Sequence, residues 1–488
     1  MRRRARFAGV AGGCLVLLAV VSVGDAPGQG APEGAQGLAP QALQAGAPGA
    51  SGGSPFMGSV PSGLPTAETV RLTLADAVAR GLAHNLASIL GRQQVAAAGG
   101  ARLAALGGLL PTVTGRVAET RQQVNLEAFG FPLPPGSNPI VGPFNVFDAR
   151  LSLTQSVFDL SAIGAARAGA QAAAAAEASY ADVRDAVVVV CANLYLRAVI
   201  GGGLIDAVRA QLRTAELLHQ RAVSMKAAGV VPGIDVLRAE VQVQAQRQRL
   251  IVVENEVAKQ KLALARAIGL PLGQPFELAD PAPYAALEGR PIGDLLAEAL
   301  SRRSDLKSAT AGLRAAEAGR QAILGEALPS LRFAADYGDI GNDVSTSKAT
   351  YAVGLQLRVP LFQGGRVRAR LQQADAGLAA ERARLEDLRG RIEFEVRTAH
   401  MDLVAADERV TVARREVELS DQQLVQAQDR FTAGVANNLE VVQAQETVAG
   451  ATDRYLSSLY AHNLAKLSLA RALGVAEEAA GQYLGGLR

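Results

Sequence analysis

The sequence contains few of the residues on which metalloenzymes and nucleic-acid-binding proteins depend. Its 488 residues include no tryptophan, two cysteines, four histidines and four methionines, and aromatic residues make up 4% of the chain. The histidines lie far apart, without the spacing of metal ligands. The 49 basic residues nearly balance the 46 acidic ones, and this even balance does not provide the basic surface that nucleic-acid binding requires. The composition therefore argues against a metal centre and against a nucleic-acid partner.

The scarcity of cysteine also limits covalent chemistry. Cys14 lies in the apolar leader and Cys191 in an apolar helical segment, so we predict neither an internal disulfide nor a thiolate metal site in the mature chain. A buried, inert thiol is the favoured interpretation of Cys191. The sequence contains no nucleophile elbow, phosphate-binding glycine loop or metal-binding His/Glu pattern. We therefore expect a protein that is not an enzyme and needs no cofactor.

The amino-terminal residues have the pattern of an export signal. Four arginines precede an apolar run over Phe7–Val23, which predicts a signal peptide at residues 1–26. A retained membrane anchor is the alternative, but glycines interrupt the run and it barely reaches spanning length. Residues 27–67 are rich in Ala, Gly and Pro, which predicts a flexible arm. No later segment is judged apolar enough for a transmembrane helix, so membrane insertion would require a β-barrel.

The rest of the chain contains an internal repeat. Residues 229–270 align without gaps on residues 434–475 at a constant offset of 205, and Gly229 matches Gly434. A glycine closes the last helix of each half, as a C-cap glycine does. The predicted division is a first structural repeat over 68–270, a Pro-rich linker over 271–291, a second structural repeat over 292–475 and a C-terminal tail over 476–488.

Each repeat is predicted to contain two helices that are too long for a globular domain. They span about 162–228 and 234–268 in the first repeat, and about 366–432 and 439–473 in the second. At roughly 1.5 Å per residue, the longer helices extend for about 100 Å. Apolar residues recur every seven positions over Leu403–Phe431, which is the condition for a coiled coil.

Four short segments alternate between apolar and polar residues. They cover about 112–124, 147–157, 331–338 and 351–361. Strands of about 10 residues with one apolar face suit an outer-membrane barrel, and the same alternation also suits a half-buried soluble sheet. The export signal favours the barrel. Because a barrel needs about eight strands or more, several chains must contribute, and three copies would supply twelve.

The polar faces of these strands carry four arginines that are candidates for facing a lumen. Lining a pore and simply filling a polar face are equally good interpretations of them. The four residues are Arg116, Arg150, Arg332 and Arg358.

The junctions between elements carry a family resemblance. The segment VPLFQGGRVRARLQQADA from Val359 resembles the strand-to-helix junction of TolC-family outer-membrane efflux proteins. The segments KAAGVVPGIDVLRAEV from Lys226 and RFTAGVANNLEVVQAQ from Arg430 resemble that family's periplasmic turns. The resemblance covers both repeats. It implies a mostly α fold with a small β part, in which a homotrimer forms a twelve-stranded outer-membrane β-barrel continued by a periplasmic α-helical coiled-coil tunnel.

The resemblance also implies a function and partners. The expected function is a passive export duct across the periplasm and outer membrane, within a tripartite efflux or secretion system. The expected partners are a periplasmic adaptor (membrane fusion) protein, an inner-membrane pump and outer-membrane lipid. An exported periplasmic coiled-coil scaffold or adaptor without a barrel is the alternative, but it does not explain the strand pairs. Drug, metal and protein export remain open as the cargo.

The resemblance further indicates residues at the periplasmic entrance. Asp235 and Glu440 match acidic positions that line the narrow entrance, where a ring of carboxylates favours cations. The alternative is a solvated residue near a helix N-terminus, where a negative charge stabilises by roughly 0.3–1 kcal/mol. Some members lock the entrance with an arginine and a tyrosine, and those positions hold Ala436 and Phe431 here, so we expect no such lock. The glycines of the periplasmic turns, Gly229 and Gly434, are expected to shape the backbone there.

Overall fold

The computed structural model of the protein describes residues 54–478, with gaps at 131–133, 135, 281–283, 285–288, 434 and 436–437. The predicted signal peptide, residues 27–53 and residues 479–488 lie outside this described part. The helices are α1 (Leu74–His84), α2 (Leu86–Gly107), α3 (Leu160–Ala227), α4 (Gly233–Ala267), α5 (Ile292–Arg302), α6 (Ser304–Gly325), α7 (Arg366–Thr432) and α8 (Asn438–Leu473). The strands are β1 (Val70–Leu72), β2 (Thr112–Asn125), β3 (Ile140–Phe158), β4 (Phe276–Leu278), β5 (Ser330–Gly341) and β6 (Lys348–Arg358).

The two halves of the chain contain the same elements in the same order. A three-residue strand, a short helix and a medium helix precede two longer strands, a long helix and a helix of half that length. The long helices α3 and α7 have 68 and 67 residues, and α4 and α8 have 35 and 36. The fold is therefore mostly α with a small β part, as the family resemblance implied.

The long helices pack as coiled coils because their apolar residues repeat every seven positions. Along α7 the buried positions form one continuous row at this spacing, and the side chains in the row are small from Ala399 onward. A seam of small side chains lets the helices approach closely. The row comprises Leu378, Leu385, Ile392, Ala399, Ala406, Ala413, Ser420 and Ala427. Helix α7 contacts α5, α6 and α8, and the middle of the row, Ile392, Ala399 and Ala406, lies in one hydrophobic cluster with residues of α5 and α8.

Two small sheets complete the fold. Strands β1 and β4, the first strands of the two halves, pair in parallel, so the pairing connects the two halves. The remaining strands form one antiparallel sheet in the order β2-β3-β5-β6. The sequence placed the start of β3 at residue 147, seven residues too late, because Gly142 and Pro143 interrupt the alternation. It placed the end of β6 at residue 361, beyond Arg358, although Pro360 has no N–H to donate to a ladder.

The breaks between the short and medium helices are buried joints built on polar side chains. Between α1 and α2, the Asn85 amide donates hydrogen bonds to the carbonyls of Phe56 (2.7 Å) and Ala267 (3.0 Å). Between α5 and α6, the Arg303 guanidinium donates to the carbonyl of Ala472 (3.4 Å). Arg303 also forms ion pairs with the carboxylates of Asp305 and Glu395. Ala267 and Ala472 are equivalent at the repeat offset of 205, so both repeats anchor the same helix end at the same place.

Residues 54–67, which the composition assigned to a flexible arm, are packed against the first repeat. Phe56 contacts its hydrophobic core. Backbone N–H groups of Val60 and Ser62 donate to the carbonyls of His84 (3.0 Å) and Gly269 (3.1 Å). The Thr66 N–H donates to Gln274 Oε1 at 2.7 Å. The arm prediction is therefore wrong for this segment, because backbone hydrogen bonds order it where its side chains bury little apolar surface.

Helix α3 is the most apolar element of the described part. It is long and apolar enough to span a membrane, and 44% of its most apolar stretch is buried inside the protein. The expectation that no segment after the leader reaches this apolarity was wrong. The physical reason is packing: α3 contacts α1, α2, α4, α6 and α8 and buries Val187, Val188 and Cys191 completely. Cys191 has 0% of its surface exposed, which confirms the prediction of a buried thiol, and this burial raises its pKa to about 12.

Helices α3 and α6 cross closely where the helices meet the sheet. A Cβ at Gly325 would lie 2.4 Å from the Ser161 nitrogen, and one at Gly164 would lie 2.6 Å from the Ala322 Cα. Side chains larger than hydrogen do not fit at either position. These two glycines therefore allow α3 and α6 to pack closely at the helix ends next to the sheet.

We expect Gly325→Ala to destabilise the folded protein by about 1–3 kcal/mol, because the added methyl group separates the two helices. The matched control is Gly319→Ala in the same helix, where an added Cβ meets nothing within 4 Å. Alanine gains roughly 0.5–1 kcal/mol over glycine in a helix interior, so this control should be neutral or stabilising. Thermal unfolding monitored by circular dichroism measures both variants. Equal unfolding temperatures for the two would refute a close crossing at Gly325.

Candidate functional site

The register of the four-stranded sheet places the four predicted arginines on one face. Residues directly opposite each other in antiparallel strands share a face. Arg116 lies opposite Arg150. Arg332 lies opposite Ser156 on one side and Gln356 on the other, and Arg358 lies opposite Ser330. The even-numbered residues of β2, β5, β6 and the central part of β3 therefore form a single polar face.

The arginines on this face differ in their partners. The Arg150 guanidinium forms ion pairs with Asp148 at 3.2 Å and with Asp336 at 2.5 Å, both on the same face. Within the described residues, Arg116, Arg332 and Arg358 form no ion pair, and all three are exposed. The polar face therefore has two carboxylates around one guanidinium at its centre, and three arginines without an ion pair.

The opposite, odd-numbered face of the sheet is apolar and exposed along β6, and farther along β2 it carries Glu119 and Arg121. Val353, Leu355 and Leu357 of β6 have 65%, 64% and 64% of their surface exposed, and Tyr351 has 78%. Exposed apolar surface of this extent is typical of contact with another apolar phase. Strands β2 and β6 each pair on one side only, so both outer edges of the sheet present unpaired backbone groups.

At the far end of the long helices, one hydrophobic cluster joins the two turns. Phe431, which is 1% exposed, packs against Leu218 of α3 and Val441 of α8. Met225 and Val231, on either side of the first turn, contact the same cluster. The position where some members of the resembling family have a tyrosine thus holds a fully buried phenyl ring that ties the first repeat to the second.

The described turn glycine has the predicted backbone conformation. Gly229 has a φ of +75° and no atom within 4 Å of where a Cβ would be, so the conformation alone favours glycine. Its N–H donates to the Lys226 carbonyl at 3.0 Å, and the Val230 N–H donates to the Met225 carbonyl at 2.9 Å, which closes α3. Gly434 and Ala436, the predicted residues of the second turn, lie outside the described residues.

The two predicted entrance carboxylates occupy the first turns of α4 and α8, but their surroundings differ. The Asp235 side chain is 7% exposed, and its Oδ1 lies 3.3 Å from the Arg238 guanidinium. The Glu440 side chain is 43% exposed, and its Oε1 lies 3.3 Å from Arg430 Nε in the last turn of α7. The interpretation of Asp235 as a solvated residue is therefore wrong, because the helix packing buries it.

Sequence reasoning missed the two arginines beside these carboxylates. Arg238 follows Asp235 by three positions, a spacing that brings side chains together on a helix. Arg430 precedes Glu440 by ten residues across the turn. The i,i+3 spacing gave a usable signal for Arg238, whereas the pairing of Arg430 depends on how the turn folds back.

Comparisons with known proteins agree with this geometry. The family model described as outer membrane efflux protein matches residues 82–270 and 295–475, one match in each repeat. The pyoverdine export outer membrane protein OpmQ of Pseudomonas aeruginosa is 28% identical over 392 residues, 73% of this chain and 81% of OpmQ. The alkaline protease secretion protein AprF of the same species is 24% identical over 353 residues, 69% of this chain and 71% of AprF.

A solved structure shows the same fold. The outer membrane protein VceC of Vibrio cholerae superposes with a TM-score of 0.71 at 21% identity, over 82% of this chain and 96% of VceC. The family match extends over well more than half of the chain and contains the strand pairs, the long helices and the turns described above. The chain belongs to the outer membrane efflux protein family, the TolC-family channels, and is an outer-membrane export duct of a tripartite system with a large periplasmic part.

Proposed function

We propose that three copies of the chain close a twelve-stranded barrel by pairing β6 of one copy with β2 of the next. The observation that carries this proposal is the sheet with two unpaired edges and one exposed apolar face. Strand direction alternates across the order β2-β3-β5-β6, so β6 beside a second β2 is again antiparallel. Head-to-tail pairing of this kind repeats until the ring closes. Closure removes both edges, and lipid covers the apolar face.

The polar face would then line the lumen. Arg116, Arg332 and Arg358 each lack an ion pair among the described residues, so three copies would place nine arginines without a carboxylate partner in the barrel. An aqueous lumen solvates these charges, whereas the bilayer core would not. Below the barrel, the coiled-coil helices of the three copies would continue the lumen as a periplasmic tunnel.

Passage through the duct would be passive, and partner proteins would supply the energy for export. Neither nucleotide-binding nor metal-binding chemistry was predicted from the sequence, and no group of potential metal ligands occurs among the described residues. OpmQ is named for pyoverdine export and AprF for protease secretion, so relatives differ in what they export. We therefore propose docking on a periplasmic adaptor protein and an inner-membrane pump, with the cargo chosen by the pump.

Cysteine pairs across the proposed seam test the barrel. One cysteine replaces Val117 on β2, and a second is moved stepwise along β6 in otherwise identical proteins. The native Cys191 is buried and should contribute no cross-links. We expect oxidation to give disulfide-linked trimers in the outer-membrane fraction at one register only. A control cysteine at Leu153 of β3, whose strand is paired on both sides, should give none.

A different outcome would favour the alternative function. A soluble periplasmic protein without inter-chain disulfides at any β6 position would contradict the barrel and support an exported coiled-coil scaffold. Purified trimers that fail to conduct ions across a planar lipid bilayer would contradict the open duct.

We propose that Glu440 contributes more than Asp235 to an acidic ring at the periplasmic entrance. Asp235 is already buried in a single chain, and assembly can only bury it further. Three carboxylates about 10 Å from a central cation contribute roughly 1 kcal/mol in water, so removing their charge, with Arg430 still beside them, should change the preference for cations about fivefold at low salt. We expect Glu440→Gln to reduce the cation-to-anion permeability ratio several-fold in planar bilayers, and Asp235→Asn to change it less. A larger effect of Asp235→Asn would reverse this assignment.

A further inference from the structure

Two arginines lie at the end of the four-stranded sheet that is joined to helices α6 and α7. Arg332 is the third residue of β5, and Arg358 is the last residue of β6. Gln356 lies directly opposite Arg332, and Arg358 follows Gln356 by two residues on the same face. Diagonal neighbours of this kind in antiparallel strands lie about 7–8 Å apart. The polar face therefore carries two neighbouring positive charges where the strands meet the helices.

The neighbours of these arginines on the polar face are uncharged. Ser156 of β3 lies opposite Arg332, and Ser330 of β5 lies opposite Arg358. Across the proposed seam, β2 of the next copy has one acidic residue, Glu119, and it lies on the opposite face of the sheet. Neither the adjacent strands nor the strand across the seam therefore offers a carboxylate beside the two guanidinium groups.

The acidic residues that lie near these strand ends in the chain have other partners. The carboxylate of Asp336 forms an ion pair with Arg150 at 2.5 Å. The carboxylate of Glu326, just after α6, accepts hydrogen bonds from Arg370 Nη1 at 2.7 and 2.8 Å. The two arginines at the strand ends are exposed instead and form no ion pair with a described residue. Their charges are therefore balanced by ions from solution rather than by the chain.

We propose that Arg332 and Arg358 make the base of the barrel an anion-attracting section of the duct, which favours anionic over cationic solutes at that level. This inference rests on the proposed trimeric barrel, in which the polar face lines the lumen. Three copies place six guanidinium groups around one aqueous passage. Charges of one sign inside low-dielectric walls raise the local concentration of oppositely charged ions, and rings of arginine or lysine select for anions in pores. The section requires no binding pocket, because exposed charges act through the water of the lumen.

Quenching of a fluorophore at the barrel base measures the local anion concentration. Ser330→Cys places a thiol opposite Arg358, and the uncharged fluorophore acrylodan labels it in purified full-length trimers. The native Cys191 is fully buried and should remain unlabelled. At low salt we expect the ratio of iodide quenching to neutral acrylamide quenching to fall at least about twofold when Arg332→Gln and Arg358→Gln are added. The difference should shrink as sodium chloride is added, because salt screens charges beyond about 10 Å at 0.1 M.

Arg121→Gln is the matched control for the two glutamine substitutions. Arg121 is also an exposed arginine of the sheet, but it lies on the opposite face, paired with Asn145. Its replacement should leave the quenching ratio unchanged. The inference is overturned if Arg332→Gln and Arg358→Gln together leave the ratio unchanged, or if Arg121→Gln lowers it equally.

Ion selectivity in planar bilayers provides a second readout. In a potassium chloride gradient, Arg332→Gln with Arg358→Gln should shift the reversal potential toward cation selectivity, whereas Glu440→Gln should shift it the opposite way. Conducting trimers whose selectivity and quenching ratio ignore the two arginines would overturn this inference and leave the duct intact. Failure to form trimers would contradict the barrel itself, so the two failures are distinguishable.

Discussion

Replacing Leu355 with arginine is expected to prevent assembly of the protein in the outer membrane. Leu355 lies on the exposed apolar face of β6, which the proposed barrel turns toward lipid. An arginine near the bilayer midplane costs about 2–4 kcal/mol in a transmembrane barrel. A trimer contains the substitution three times, so the total is about 6–12 kcal/mol, comparable with the entire stability of many proteins. Outer-membrane fractionation followed by unheated gel electrophoresis measures the loss of trimer.

The adjacent residue is the matched control. Gln356 lies opposite Arg332 on the polar face of the same strand. Gln356→Arg introduces the same side chain one position away, so it should assemble normally and add positive charge to the lumen. If Gln356→Arg prevents assembly and Leu355→Arg does not, the assignment of the two faces is inverted. If neither variant has an effect, the sheet does not contact lipid.

Replacing Phe431 with alanine is expected to loosen the end of the helical part. The phenyl ring is 1% exposed and joins α3, α7, α8 and the first turn in one cluster. Removing a buried phenylalanine side chain costs about 3–5 kcal/mol. Because the cluster lies at one end of long helices, the effect should be local opening rather than global unfolding. Hydrogen exchange measured by mass spectrometry should become faster in both turns and remain unchanged in the sheet.

Val435 provides the control for this prediction. It lies in the second turn, only four residues from Phe431, but 73% of its surface is exposed. Val435→Ala should therefore leave exchange in both turns unchanged. Faster exchange in the second turn alone, with the first turn protected, would contradict the idea that Phe431 connects the two repeats.

The long helices were predictable because their signal repeats many times. The row over Leu378–Ala427 gives the same information at every seventh residue, so no single exception obscures it. The strands of the four-stranded sheet were located because their apolar and polar residues alternate repeatedly, although the start of β3 and the end of β6 were misplaced. Pro143 interrupts the alternation inside β3, and Pro360 lies beyond the last hydrogen-bonded residue of β6. The four arginines share a face because strand register preserves alternation across the sheet.

The contacts that depend on chain folding were not predictable. Residues 54–67 have the composition of a disordered arm, yet the Val60 N–H pairs with the His84 carbonyl, and the Ser62 N–H pairs with the carbonyl of Gly269, far along the chain. Asp235 has the sequence position of an entrance residue, but its burial results from the packing of helices that the sequence does not orient. Gln211, Gln246 and Gln445 come together from α3, α4 and α8, so no local pattern in the sequence groups them.

The joints at Asn85 and Arg303 restrict how this duplicated chain can evolve. Exchange of sequence between the two repeats, as in gene conversion, would place an arginine at the first joint. A transferred segment that contains Arg303 would also bring Asp305, its partner two residues later. The second partner, Glu395, lies on α7, and at the repeat offset of 205 its equivalent on α3 is Val190. The arginine would thus be buried with one carboxylate in place of two, so each joint depends on a residue of the long helix in its own half.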